Sequence, residues 1–328
     1  MTVALAELLE TARVVALPMA TRFRGVDVRE ALLMRGPAGW TEFSPFVEYA
    51  DAEAAAWLAA AIDFGWGDPR LPSGAPARIR VNATLPAIGP DAVDAVLERF
   101  PGCRTVKVKV AESGQSLADD VARVAQARAY LGADGRIRID ANGGWNVDEA
   151  EHAIHALAEY DLEYAEQPCA SVDELAQIRK RVKYMGIPIA ADESVRKAAD
   201  PVAVAKAKAA DILVIKAQPL GGIASALKIV GKAKLPVVVS SALDTSVGLS
   251  MGAWLAASIP GGVTFDSGLG TAALLAADVT SEPLLPVDGQ IEVRRVDVDE
   301  ALLERYAAAP ARSEWWLNRL RSTHALLK

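Results

Sequence analysis

The apolar positions fall into two rhythms along the chain. In the first, three strands are expected over 13–17, 26–34 and 40–46, then a helix over 51–62 that Asp51 caps and that carries Trp57 and Leu58 among its apolar positions. A polar turn, Thr21-Arg22-Phe23-Arg24-Gly25, joins the first two strands, and Gly36-Pro37 with Ala38-Gly39 punctuates the next break. Strands first and a helix after them predict a small α+β unit, ended by a linker at Pro69, Pro72, Gly74 and Pro76. Beyond it, short apolar runs alternate with helical stretches. Strands are expected over 79–83, 105–110, 136–141, 163–166, 187–191, 212–216, 237–241 and 263–266. Helices are expected over 91–100, 117–131, 148–160, 172–182, 201–208, 223–232 and 246–258. Apolar strands separated by helices are the pattern of a parallel sheet buried on both faces, hence a (β/α) barrel. An open doubly wound sheet is the alternative, but it would more often bring a glycine-rich dinucleotide fingerprint, which is missing. From 281 the tail holds a strand-like 290–296 and a helix ending at Trp315-Trp316, expected to pack back on the N-terminal unit. The domain expectation is an α+β cap over 1–76, completed by about 281–328, and a barrel over 77–280.

Within this pattern, charges stand where a buried strand should have none. T-V-K-V-K-V at 105–110 alternates with period two, so Lys107 and Lys109 share one side of a strand. A surface strand with both ammonium groups in water is the plain alternative. Asp140, Glu166, Asp192 and Lys216 then end later apolar strands at intervals of about 25–30 residues, the length of one strand-plus-helix unit. Charged groups at the carboxyl ends of consecutive parallel strands are how a barrel active site looks in sequence. Three carboxylates meeting at a barrel mouth repel one another unless a cation lies among them, and an all-oxygen set favours a hard divalent ion, Mg²⁺ or Mn²⁺, over zinc. Three unrelated capping or surface acids are the other reading. Lysines crowded beside a divalent cation have depressed pKa values, so one can act as a neutral general base; the matching reaction removes a proton α to a carboxylate. A Schiff-base aldolase would also use a barrel lysine but needs no trio of metal carboxylates.

Composition narrows the class without changing it. A chain of 328 residues that is 52% hydrophobic can bury a barrel core and a smaller unit. A net charge of −7 leaves no basic surplus for phosphates, so nucleic acid is excluded as a partner. Cys103 and Cys169 lie far apart in no metal-like spacing and read as buried thiols of a reducing compartment, with a disulfide as the alternative. The first residues carry Glu7 and no basic n-region, which argues against a signal peptide, and no apolar run reaches bilayer length. A soluble cytoplasmic protein is expected. His152, His155 and His324 read as non-catalytic, two on a barrel-exterior helix and one near the C-terminus.

The strings T-V-K-V-K-V, D-A-N-G-G-W (140–145), A-E-Q-P (165–168), A-D-E-S (191–194) and V-I-K-A-Q-P-L-G-G (214–222) resemble the enolase superfamily in its muconate-lactonizing branch. T-R-F-R-G-V, V-R-E, G-P-A-G-W-T-E-F-S-P-F and S-S-A-L-D-T-S-V-G-L are similar to the o-succinylbenzoate synthase family, so the resemblance runs over nearly the whole chain. It implies a modified TIM-type (β/α)7β barrel with a small α+β N-terminal cap. It also implies a Mg²⁺-dependent lyase that dehydrates a small anionic substrate, 2-succinyl-6-hydroxy-2,4-cyclohexadiene-1-carboxylate, to o-succinylbenzoate in menaquinone synthesis. By the same resemblance Asp140, Glu166 and Asp192 would ligate Mg²⁺, with Mn²⁺ as the other candidate. Lys109 would take the α-proton and return it to the leaving hydroxyl on the same face, and Lys107 would stabilise the enediolate. Lys216 would face the opposite side of the ring with a charge and a cation–π contact. Asn142 is a neighbour of Asp140 on the same face if the strand persists. Arg22, Phe23 and Arg24 form either a lid, an arginine meeting the succinyl carboxylate, or a plain solvated turn; the resemblance favours the lid. Ser240 and Ser241 either bond that carboxylate through hydroxyls or backbone N–H groups or are ordinary strand-end serines. Gly268 permits close backbone approach to a ligand, although glycine turns are common there. Arg138, two residues before Asp140, is expected to face the same way. A racemase or epimerase of an N-succinylamino acid would use the same six charged residues, and a non-catalytic metal-binding barrel would not need the lysines.

Overall fold

The computed structural model describes residues 3–67, 69–196 and 201–327, so the outermost ends of the expected cap lie outside the described residues. A helix not anticipated from the pattern, α1 (Leu5–Thr11), precedes an antiparallel sheet of β1 (Arg13–Phe23), β2 (Val26–Gly36) and β3 (Gly39–Phe43), and α2 (Asp51–Trp66) follows. The expected five-residue turn after 17 is mostly strand. Phe23 pairs with Val26, leaving Arg24-Gly25 as a two-residue turn with φ of 52° and 74°. Two positive φ values at the centre match the right-handed twist of a hairpin, which is why the chain can reverse so tightly there. The register shifts between Pro18 and Phe23, and Pro18 itself stays in register with Val28. On its other side β1 touches the barrel: Met19 bridges Leu275, and the Ala276 N–H donates to the Pro18 carbonyl at 2.8 Å.

The expected strand over 79–83 is two elements, β4 (Arg78–Arg80) and β5 (Ala83–Leu85). The expected helix over 91–100 shrinks to α3 (Val93–Leu97) behind a single 3₁₀ turn. Then come β6 (Thr105–Lys109), α4 (Leu117–Leu131), β7 (Arg136–Asp140), α5 (Val147–Leu157), β8 (Leu162–Glu166) and α6 (Val172–Arg181). They are followed by β9 (Ile189–Ala191), α7 (Glu193–Arg196), α8 (Ala203–Lys206), β10 (Ile212–Ile215), α9 (Ile223–Ala233), β11 (Val237–Val239) and α10 (Ser246–Ala257). Three of these helices begin with reciprocal capping boxes, Ser116 with Asp119, Asn146 with Glu149 and Ser171 with Glu174. Each satisfies backbone donors that a helix start leaves unpaired, which fixes the loop length between strand and helix.

The seven strands β5 to β11 pair in parallel, each with its sequence neighbour. No strand forms over 263–266. The barrel closes instead through single bridges, Ser240 with Gly268 and Val81 with Ser267. Side chains hold that segment: Asp266 accepts from Thr105 Oγ1 at 2.7 Å and pairs with Arg80 at 2.9 Å, and its carbonyl takes Arg138 Nη1 at 2.7 Å. The result is a modified (β/α)7β barrel with an N-terminal α+β unit. In the tail, β12 (Gln290–Glu292) covers only part of the expected strand and pairs with β4. After α11 (Glu300–Arg305), α12 (Pro310–His324) runs past the paired tryptophans. Its Trp316, fully buried, packs edge-on to Phe43 and donates to Glu30 at 3.0 Å, seating the helix against the N-terminal sheet. A buried aromatic of this kind contributes about 1.5–3 kcal/mol by area alone. Among the described residues, no helix is long and apolar enough to cross a membrane.

Candidate active site

Side chains alternate along β6, so Thr105, Lys107 and Lys109 all turn into the barrel, and the same parity carries Arg138 and Asp140 on β7 and Tyr164 and Glu166 on β8. Register then sets neighbours: Lys109 stands beside Asp140, and Asp140 beside Glu166. Asp192 follows β9 and Lys216 follows β10 by one residue each, so the six charges crowd one end of the barrel. All six are 8% exposed or less, which makes the plain surface-strand reading untenable.

Lys107 Nζ lies 2.9 Å from Glu166 and 3.0 Å from Asp140; Lys109 Nζ lies 2.6 Å from Asp140 and also meets Asn142 Oδ1. Lys216 Nζ lies 2.6 Å from Asp192, whose other oxygen is 3.3 Å from Arg196 Nε. Burial opposes charge on every one of these groups, and the partners decide the outcome. Burial would raise Asp140, but Lys107 and Lys109 outweigh it and hold the carboxyl far below its usual range. For Asp192, Lys216 and Arg196 overcome burial and bring it to about 2. Glu166 goes the other way, pushed up to about 7 by burial and by Asp140. Of the two lysines on β6, Lys107 is raised well above its usual value, its acid neighbours overcoming burial. Lys109 is lowered, chiefly by burial and then by Lys107 against the pull of Asp140.

The resemblance to the enolase superfamily implies a divalent metal ion at these carboxylates. In the present arrangement, among the described residues, no three acid, histidine or cysteine side chains close on a common point. The carboxylates turn toward the lysines instead. The donor set nevertheless suits a hard cation: three buried carboxylates come from neighbouring strands, and Asp192 Oδ1 accepts no hydrogen bond. The raised Glu166 marks the negative charge a cation would relieve.

The charged floor opens into a cavity of about 410 Å³, mouth included, walled by Phe23, Arg24, Phe46, Thr84, Ser240–Leu243 and Thr271. Strand alternation stops at the hairpin tip: Arg24 lies in the turn at φ 52°, so it and its neighbour Phe23 both reach the cavity. Phe23 turns in, with Lys109 Nζ 5.4 Å above its ring, and Arg24 lies over Phe46 at 4.6 Å. Arg22 turns out to an exposed pair with Asp27, so only two of the three expected lid residues reach the cavity. Ser240 and Ser241 line it, but their N–H groups are already given to Ile215 and Gly268 carbonyls, leaving only hydroxyls for a ligand. Ser241 Oγ in turn meets the Gly268 carbonyl at 2.9 Å and Thr271 at 2.8 Å. Gly268 is needed for its neighbour as much as for any ligand, since a Cβ there would collide with the Ser240 side chain.

The strand does not persist to Asn142. β7 stops at Asp140, and Asn142, at φ 48°, folds back so that its N–H donates to Asp140 at 3.1 Å and its amide to Glu193 at 3.1 Å. Arg138 sits a layer below, fully buried between Glu163, Asn82 and the ring of Tyr164, and touches no strand-end acid. It faces the barrel interior as Asp140 does. Histidines 152, 155 and 324 lie on α5 and α12, away from the cavity, and both cysteines are free thiols. Glu193 and Arg196, which brace Asn142 and Asp192, escaped the sequence reading; their only signal was an acid and a base three residues apart beside Asp192.

The enolase C-terminal domain-like family matches residues 91–297, and the enolase N-terminal domain-like family matches 14–65. The chain is 52% identical to an o-succinylbenzoate synthase of Mycobacterium leprae, over 98% of this chain and 94% of that one. It is 51% identical to one of Thermobifida fusca, over 96% of each. Among solved structures, the muconate lactonizing enzyme of Pseudomonas fluorescens superposes with a TM-score of 0.77 at 18% identity, covering 91% of this chain and 98% of that one. The 2-chloromuconate cycloisomerase of Rhodococcus opacus gives 0.75 at 22%, with the same coverage. These two likenesses concern the fold alone; the identity to full-length relatives concerns the family. The chain belongs to the o-succinylbenzoate synthase family of the enolase superfamily.

Proposed function

We propose that the chain is a Mg²⁺-dependent o-succinylbenzoate synthase of the cytoplasm. It would convert 2-succinyl-6-hydroxy-2,4-cyclohexadiene-1-carboxylate to o-succinylbenzoate and water, a step in menaquinone synthesis. The observation that carries this reading is the opposition of buried Lys109 and Lys216 across one cavity, in a chain half identical to such synthases over nearly its full length.

Lys109 is the base in this reading. It is the lysine whose ammonium form burial and a like charge disfavour, so its basic form is more accessible than that of Lys107. It removes the proton α to the ring carboxylate, then delivers a proton to the hydroxyl that leaves from the same face; a hydrogen and a hydroxyl depart as water and the ring becomes aromatic. Lys107, held charged by two acids, offers its ammonium to the negative charge developing on the substrate carboxylate. Lys216, paired with Asp192, stands on the other side of the ring, where it would offer charge stabilisation and a cation–π contact. Asp140, Glu166 and Asp192 would hold the Mg²⁺, whose charge would neutralise the substrate carboxylate and so acidify the neighbouring C–H. Asn142 keeps Lys109 and Asp140 in register. Phe23 and Arg24 line the cavity with Ser240 and Ser241, and in this reading Arg24 would meet the succinyl carboxylate. We assign residues 1–76 and about 281–328 to the cap and 77–280 to the catalytic barrel, a division supported by the seating of α12 on the N-terminal sheet.

Turnover of the cyclohexadiene carboxylate, followed by ultraviolet absorbance with Mg²⁺ and with EDTA, tests this. Loss of the diene band that chelation abolishes is expected. Silence with the diene together with racemisation of an N-succinylamino acid would move the function to the epimerase that the same two lysines could serve.

A further inference from the structure

A second buried charged cluster lies outside the catalytic floor, where β2 and β3 meet the loop after β11. Arg29, 3% exposed on β2, donates Nε to the Leu243 carbonyl at 2.9 Å and Nη2 to Ser44 Oγ at 3.0 Å and the Ala242 carbonyl at 3.4 Å. Glu42, fully buried on β3, accepts from the Thr245 N–H at 3.1 Å, Thr245 Oγ1 at 2.6 Å and the Gly248 N–H at 3.0 Å. The Ser44 hydroxyl joins the two groups, donating to Glu42 at 2.5 Å. Asp244 lies between them and takes Gln218 Nε2 at 2.9 Å; burial and Glu42 push it up to about 7.

Charges buried this deeply are unfavourable unless they are paired and hydrogen-bonded. Here the bonds converge on one loop. Residues 240–243 of it wall the cavity, and Leu243 sits at φ 62°, a conformation a branched side chain keeps only under constraint. The same arginine reaches the opposite wall through an aromatic ring: Arg29 lies 4.7 Å and Arg24 4.6 Å from the centre of Phe46. Hairpin and loop are thus tied to each other through β2 and β3.

We propose that Arg29 and Glu42 are positioning residues that lock the 240–245 loop against the hairpin, so that substrate affinity depends on them while proton removal by Lys109 does not. Because the wall is built in advance, binding need not order it, and loosening it shows in affinity before it shows in chemistry. The inference rests on the synthase reading.

The test is steady-state turnover of the cyclohexadiene carboxylate by the full chain and by Arg29→Met, Arg29→Lys, Glu42→Gln and Ser44→Ala, with o-succinylbenzoate and Mn²⁺ affinities measured by calorimetry. Arg29→Met is expected to raise KM tenfold or more with kcat within threefold, to weaken o-succinylbenzoate in parallel and to leave Mn²⁺ affinity unchanged; Arg29→Lys should recover part of the KM. A folded Arg29→Met with wild-type KM, or one that loses kcat while KM holds, overturns the inference. Should that variant not fold, Ser44→Ala removes only the shared hydroxyl; a KM rise of about threefold supports the lock and an unchanged KM overturns it. Inactive wild type would overturn the synthase reading, whereas active wild type beside unaffected variants would overturn the lock alone.

Discussion

At the scale of residues, Lys109 is distinguished from Lys107 by two positions on one strand. Lys107 touches two carboxylates and Lys109 one, and that difference turns their proton affinities in opposite directions. Lys109→Ala is therefore expected to lower kcat by about 10²–10⁴-fold while Mg²⁺ binding, followed by calorimetry, is retained; unchanged turnover would remove it from its role. The hairpin arginines give a second contrast. Arg22→Ala should leave kcat/KM within about twofold, since an exposed ion pair contributes at most about 1 kcal/mol, whereas Arg24→Ala should raise KM for the dicarboxylate severalfold. The six floor charges were legible in sequence because a charge ending an apolar strand contradicts its surroundings. Arg22 and Arg24 were not separable, because which face each takes depends on a register shift after Pro18 that depends on partners distant in sequence. Arg29 and Glu42 were invisible for the same reason: they look like ordinary charges on half-exposed strands until the barrel loop covers them.

At the scale of elements, capping residues and period made helices such as α4 and α6 readable almost to their ends, since those signals are local. The closing segment at 263–266 failed, because an apolar, β-branched run cannot reveal that Asp266 is held by side chains instead of a ladder. A similar tertiary demand acts on α10, whose first turn is met by Asp278. It accepts from the Ser246 hydroxyl at 2.6 Å and the Val279 N–H at 2.7 Å, yet burial raises it from 3.8 to about 6. The folded chain thus holds this proton more tightly than the unfolded one. Its contribution to stability is full below about pH 4, falls as pH rises toward 6 and stays lost above. Asp278→Asn should flatten that fall by on the order of 2–3 kcal/mol relative to wild type, read from urea unfolding at pH 4 to 7. An identical slope in both proteins would show the carboxyl to be ordinary.

At the scale of the whole molecule, three buried acids from adjacent strands make metal binding a matter of stability as well as chemistry. A ligand at a hundred times its Kd adds about 2.7 kcal/mol, so saturating Mg²⁺ should raise the melting temperature by several degrees. EDTA should reverse that rise and abolish turnover together. Loss of turnover with no change in melting would place the ion elsewhere than among Asp140, Glu166 and Asp192.

The bridge between Met19 and Leu275 makes the hairpin a lever whose fulcrum is on the barrel rim. Beyond it only a short arm overhangs the cavity, about 13 Å from Met19 to Phe23, steadied at its flank by the Arg99 bond to Thr21 at 3.1 Å. Admission of substrate then needs a tilt of this arm and no parting of sheet from barrel. Amide exchange should be slow from Val15 to Leu17, fast from Thr21 to Val26, and slowed at the tip alone by o-succinylbenzoate. A single rate along the whole of β1 would mean that the doorway opens by lifting the entire sheet.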